Sequence, residues 1–206
     1  MGGAGYLSGM KVALDVQHLY RPNHPSDQGT VYHLANGYAN SSSITEAHCT
    51  LIYAGAIHEF LASWGAEVLT NDAGAGVLTG FYSQRNHAAG LWGADLYLAC
   101  HLNAGGGSYA AIEMMAAHRD DRLTGFIGTE LTQSVPEIRS SRAVGLGQTD
   151  RGAVCIRDCS CPAAILEPFF GDTPSQQGLM AAGRLLEVGQ AIARGVGSWW
   201  RGGHIA

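Results

Sequence analysis

No basic block runs along this chain: its twelve Lys and Arg are scattered, and the formal net charge is −5. That excludes a nucleic-acid partner, because phosphate recognition needs a clustered positive face. No apolar run approaches the ~20 residues that cross a bilayer, so membrane insertion is not expected. The opening MGGAGYLSGMK has neither a basic start nor an apolar h-region. It therefore does not read as a signal peptide, and the chain is expected to stay in the cytoplasm until something releases it. A leader already removed would leave the same appearance. Fixed-period self-similarity is missing too, which sets aside solenoids and propellers. Five cysteines at irregular spacing argue against a disulfide scaffold. The compact HExxH metal motif is absent: His58-Glu59 begins one, but Ala62 stands where the second histidine belongs. AGAG at 73–76 does not open a helix directly after a strand, so a dinucleotide site is not supported.

What is present is an alternation of apolar runs and helical patterns. The 206 residues suit one domain, and 46% apolar composition is enough for a sizeable core. Strands are expected at Lys11–Val16, Ala66–Thr70, Asp95–Cys100 and Ala163–Glu167. Ala110–Ala117 reads as a fourth strand in chain order, though its composition suits a helix equally, and Ala153–Ile156 as a short fifth. Helical periodicity is clearest over Ile44–Trp64, where Cys49, Ile52, Ala56, Phe60 and Trp64 recur and Gly65 stops the run. Phe81–Trp92, Leu123–Val135 and Gln176–Val196 are the other helices. The expected fold is a single α/β domain: a mostly parallel twisted sheet of about six strands with helices on both faces.

In such sheets the ligand crevice lies beyond the carboxyl ends of the strands. Polar residues gather there. Gln17 and His18 follow KVALDV, His101 and Asn103 follow DLYLAC, and AAIL ends on Glu167. Glu46 stands in the first turn of the long helix. Two histidines and one carboxylate with an open fourth position make a catalytic zinc environment, and a second carboxylate alongside can act as general base and acid. By that reading His18, Glu46 and His101 hold one Zn2+, and Glu167 moves the proton.

Four landmarks resemble, in order, the zinc-dependent N-acetylmuramoyl-L-alanine amidases. LDVQH at Leu14–His18 resembles that family's D-x-G-H, and TEAH at Thr45–His48 its helix-borne Glu. ADLYLACHLNA at Ala94–Ala104 resembles A-D-x-x-x-x-H-x-N, and AILEPFF at Ala164–Phe170 resembles I-L-x-E-x-x-F. Arg85 lies upstream of the third at a similar distance. The resemblance implies zinc on His18, Glu46 and His101, with Glu167 as catalytic acid/base. It implies a peptidoglycan substrate cut between N-acetylmuramic acid and L-alanine, and a catalytic domain over 11–198 between an N-terminal extension 1–10 and a C-terminal tail 199–206. A phage-type lysin, monomeric and held in the host cytoplasm until release, is the expected setting. Two departures stand out. Gln17 replaces the family's glycine, and the segment between His18 and Glu46 is longer, with RPNHPSDQGT and NGYANSSS expected as a loop over the crevice.

Plainer readings compete at each position. Ser43-Ile-Thr-Glu46 fits a capping box, in which Glu46 only closes a helix turn. His18 and His101 could be rim histidines bonded to backbone, and Glu167 could pair with Arg151 or Arg157. Asp15 could orient His18 or bind loop amides. Asn103 could touch substrate or form the turn after its strand. His24 and His33 are the other histidines to check near the cleft; 48, 58, 87, 118 and 204 are expected at the surface. Cys155, Cys159 and Cys161 lack the paired knuckles of a structural zinc site and are expected to be free thiols. Trp199 and Trp200 could touch glycan or pack the last helix. Two other functions share these residues: a zinc peptidase or carboxypeptidase acting on the stem peptide, and a wall-binding module without turnover.

Overall fold

The computed structural model describes residues 5–19, 28–38, 41–71 and 78–203. RPNHPSD with His24, the AGAG run and His204 lie outside the described residues. The described residues form eight strands: β1 (Lys11–Val16), β2 (Val31–Tyr38), β3 (Ser41–Thr45), β4 (Glu67–Thr70), β5 (Leu96–Cys100), β6 (Ala110–Met115), β7 (Ser141–Leu146) and β8 (Ala163–Glu167). The helices are α1 (Glu46–Ser63), α2 (Tyr82–Trp92), α3 (Asp121–Ser134) and α4 (Ala182–Gly203).

Six strands form one sheet in the order β4-β1-β5-β8-β6-β7. All its pairs are parallel except β6 against β8. Strand residues alternate between faces, and the core divides accordingly. Val12, Leu14, Leu96, Leu98, Ala164 and Leu166 belong to a large cluster that also holds Tyr53, Ile57 and Leu61 of α1, Leu123, Ile127 and Leu131 of α3, and Leu185, Val188 and Ile192 of α4. Ala13, Tyr97, Ala99 and Ile165 face a smaller cluster with Ala89 of α2 and the Ala153–Cys155 turn. Three helices thus cover one face and α2 the other. Leu7 and Met10 are also fully buried in the larger cluster.

α4 lies close against α1 because position 189 has no side chain: a Cβ on Gly189 would stand 2.3 Å from the Tyr53 carbonyl oxygen. Beyond it, α4 continues through Trp199 and Trp200, which pack partly buried on the large cluster. The Trp199 Nε1 donates to Asp120.

The structure corrects three expectations. Ala153–Ile156 is no strand; Ala153–Cys155 is a 3-10 turn in which Cys155 N–H donates to the Gly152 carbonyl. The sixth strand of the sheet is instead Ser141–Leu146, an edge strand in which only Leu146 is buried. The expected loop before Glu46 contains an antiparallel ribbon, β2 paired with β3 from Val31↔Thr45 to Tyr38↔Ser41 across an irregularity.

Candidate active site

β1, β5 and β8 run parallel and side by side, so their carboxyl ends share one rim. His18 leaves β1 in a left-handed turn with φ 64°, uncommon for a residue with a Cβ. The strained position is the histidine itself, and not the residue before it. Gln17 is fully buried: its side-chain amide donates to Asp15, and its Oε1 accepts from the Cys155 thiol at 3.7 Å. Below the turn, Asn71 clasps the end of β1, its Oδ1 accepting from Val16 N–H at 2.7 Å and its Nδ2 donating to the Val16 carbonyl at 3.1 Å.

Glu46 is the first residue of α1, and Thr45 caps that helix by accepting from His48 N–H at 3.3 Å. The capping-box reading of Glu46 is therefore overturned: the cap falls on Thr45, and the glutamate side chain is turned to the rim. Its Oε2 accepts from Thr30 N–H at 3.0 Å and its Oε1 from Leu102 N–H at 3.1 Å. Those two amides fix the carboxylate plane. His101 Nδ1 lies 3.0 Å and His18 Nε2 3.5 Å from the same Oε1. One ligand-capable atom from each of His18, Glu46 and His101 lies within 4.8 Å of the other two, the one such group among the described residues. The backbone around His101 is itself pinned, by Tyr53 hydroxyl donating to the His101 carbonyl at 2.7 Å and Tyr32 hydroxyl to the Leu102 carbonyl at 2.6 Å. Burial pushes the Glu46 carboxyl up, but hydrogen bonds and charge from His101 and His18 outweigh it and hold it well below the usual carboxylate range.

Glu167 ends β8 with its Oε2 buried and without a hydrogen-bond partner among the described residues. Neither suggested arginine makes an ion pair with it: Arg157 pairs with Asp158 at 3.6 Å, and Arg151 acts only through longer-range attraction. Burial, then the charges of Glu46 and Glu113, drive the Glu167 carboxyl well above its ordinary value, with Arg151 opposing. This carboxyl therefore holds a proton more tightly than an exposed glutamate does.

A cleft of about 740 Å³ joins these groups, lined also by Thr30, Tyr82, Asn103, Glu113, Arg151 and Cys155. The Asn103 side chain accepts from Ala104 N–H at 2.8 Å, so the residue shapes the turn while lining the cleft. Asp15 is corrected on both readings. It bonds neither to His18 nor to a backbone amide of the loop but is fully buried, ion-paired to Arg85 at 2.8 Å, bonded to Tyr97 hydroxyl at 2.5 Å and accepting from the Gln17 side chain. Arg85 in turn donates to the Leu19 carbonyl at 2.8 Å and the Gly80 carbonyl at 3.0 Å, tying the His18 turn to α2. His33, His48, His87 and His118 are exposed, and His58 is half-buried.

Glu113 and Cys155 were not among the residues expected at the rim, and Arg151 was expected there only as an ion-pair partner of Glu167. Glu113 pairs in register with Ile165, two residues before Glu167, so both acids stand on one face. A lone charge inside AAIEMM was the available signal. Cys155 Sγ lies 3.8 Å from His101 Nε2. All five cysteines are free thiols.

No family model matches the chain, and no match is found among curated proteins. Solved structures do share its fold. Cwp6 from Clostridium difficile is 22% identical with a TM-score of 0.73, matched over 92% of this chain, which spans only 29% of Cwp6. The N-acetylmuramoyl-L-alanine amidase AmiC2 of Nostoc punctiforme is 15% identical with a TM-score of 0.72, over 97% of this chain and 99% of its own. The catalytic domain of the CD27L endolysin targeting Clostridia difficile is 16% identical with a TM-score of 0.65, over 91% and 96%. The α/β architecture is thus that of N-acetylmuramoyl-L-alanine amidases.

Proposed function

We propose that the chain is a zinc-dependent peptidoglycan amidase cutting the bond between N-acetylmuramic acid and the L-alanine of the stem peptide. The observation that carries this reading is the meeting of His18, Glu46 and His101 at one point, in a cleft shared with a buried, unpartnered Glu167, on an amidase-like fold. Two imidazole nitrogens and one carboxylate oxygen fit zinc and leave a position for substrate. When bound, that ion supplies Lewis acidity for the scissile carbonyl and for activating water.

The remaining work falls to the chain. Thr30 and Leu102 amides hold Glu46 flat, and Tyr53 and Tyr32 hold the His101 backbone, so the three ligands need little reorganisation. Glu167 takes a proton from the attacking water and delivers it to the departing alanine nitrogen. Its raised affinity for that proton, set by burial and by Glu46 and Glu113, favours the donating half of the cycle. Lysis of a cell wall belongs to the same proposal, supported by the fold shared with an endolysin domain. No helix among the described residues is long and apolar enough to cross a membrane.

Metal analysis tests the site directly. The purified chain should bind about one zinc per molecule, and His101→Ala should lose most of it while remaining folded by circular dichroism. Unchanged zinc content in that variant would remove His101 from the ligand set.

A further inference from the structure

At the opposite rim of the sheet the chain carries a second arrangement of reactive groups. β8 enters from Cys161-Pro162 and leaves at Glu167, so its amino end lies ~17 Å from the rim described above. There a cleft of about 540 Å³ is lined by Cys159, Ser160, Cys161 and Pro162, together with Met115, Arg119 and Arg157. The Cys159 and Cys161 sulfurs are 2.9 Å apart, and both residues are half-buried rather than enclosed. Cys49, Cys100 and Cys155 differ: all are buried, and Cys155 faces Gln17 and His101. The turn that holds the pair is seated firmly. Ser160 lies against α2 at Gly90, where an added Cβ would meet the serine oxygen at 2.3 Å, and Cys159 N–H donates to the Ile156 carbonyl.

We propose that Cys159 and Cys161 form a dithiol site that reacts with low-molecular-weight disulfides and closes to an intramolecular disulfide. The observation behind it is two accessible sulfurs held 2.9 Å apart on one fixed turn beside an open cleft. A bonded pair sits at ~2.05 Å, so closure asks for a small movement.

Closure takes two exchange steps, and either sulfur can begin them, because either can be the donor in the contact between the two. The one that loses its proton attacks one sulfur of the small disulfide; a mixed disulfide forms and one thiolate leaves. The other then gives up its proton and attacks the modified sulfur, and the second small thiol departs. Two electrons pass from the dithiol to the oxidant, which ends as two thiols. Because one residue separates the cysteines, closure constrains the unfolded chain little, and the bond should be readily reduced.

Thiol counting tests this without reference to amidase activity, so its failure and that of the proposed function are separable. The full chain is incubated with oxidised glutathione at neutral pH, denatured, alkylated with iodoacetamide and mapped by mass. Two of the five thiols should be lost to alkylation, both within one Cys159–Cys161 peptide, and dithiothreitol should restore them. Cys161→Ser should halt at one glutathionyl group on Cys159, and Cys159→Ser should give no closure. Five alkylatable thiols after exposure, protection falling on Cys155, or a wild-type mixed disulfide that never closes would each overturn the proposal.

Discussion

In the proposed mechanism the proton transfer of the cleft falls to one carboxyl, Glu167. Its buried Oε2 has no partner, and its neighbours Glu46 and Glu113 make ionisation harder still. Replacing it with glutamine keeps the shape and removes the proton transfer. Glu167→Gln should retain zinc and fold while turnover on purified wall falls at least ~100-fold, the usual worth of general acid/base help. Surviving activity would move that role elsewhere. His18, His101 and Glu167 could be picked out in the sequence because each ends an apolar strand, and a strand end in a parallel sheet points at the crevice. Glu46 was ambiguous, since S-I-T-E spells a capping box and only the geometry shows Thr45 doing the capping. Glu113 was hidden because AAIEMM suits a helix as well as a strand, and the face of an isolated glutamate cannot be assigned until that is settled. Arg151 and Cys155 come from an irregular segment where no periodicity applies. Asp15 was misread because its partners Arg85 and Tyr97 are ~70 or more positions away, 70 for the arginine and 82 for the tyrosine.

β1 and β8, with continuous buried runs, were legible to the residue, whereas α4 begins at Ala182 and ends at Gly203 where Gln176–Val196 was expected. β7 and the β2–β3 ribbon were not legible. β7 buries only Leu146, and the β2–β3 ribbon sits inside a polar segment that resembles a loop. The same dependence on packing makes the α1–α4 contact testable. A Gly189→Ala change gains helix propensity of ~1 kcal/mol yet drives a methyl into the Tyr53 carbonyl, which is backbone and cannot swing away. The net effect should be destabilising by about 1–3 kcal/mol, as for other overpacked cores, measured by urea denaturation. An unchanged or raised midpoint would mean α4 shifts freely on α1. Because Tyr53 also holds the His101 carbonyl, zinc affinity should weaken with it.

For the whole molecule, the two cleft carboxyls give opposite pH dependences in metal-free protein. Glu46 is held below its ordinary 4.5, so its contribution is present above that pH and is lost as pH falls through the lowered value. Glu167 is held above 4.5, so the folded state binds a proton that the unfolded chain releases; its contribution is full below 4.5 and fades as pH rises toward the raised value. Each pH unit crossed costs at most about 1.4 kcal/mol. In Glu167→Gln that alkaline loss should vanish. Urea midpoints of metal-free protein should therefore favour the variant near pH 7.5 and agree with wild type near pH 4. A constant difference at both would contradict the assignment.

The claim on which the whole account turns is hydrolysis at the lactyl–alanine amide by zinc held on His18, Glu46 and His101. Product mapping of digested, purified peptidoglycan tests it most directly, with zinc-loaded, metal-free and Glu167→Gln protein run in parallel. The account predicts intact stem peptides with a new N-terminal alanine from the zinc-loaded chain alone. Shortened peptides still joined to muramic acid would identify a peptidase instead, and binding to the wall with no amine released by any sample would contradict catalysis altogether.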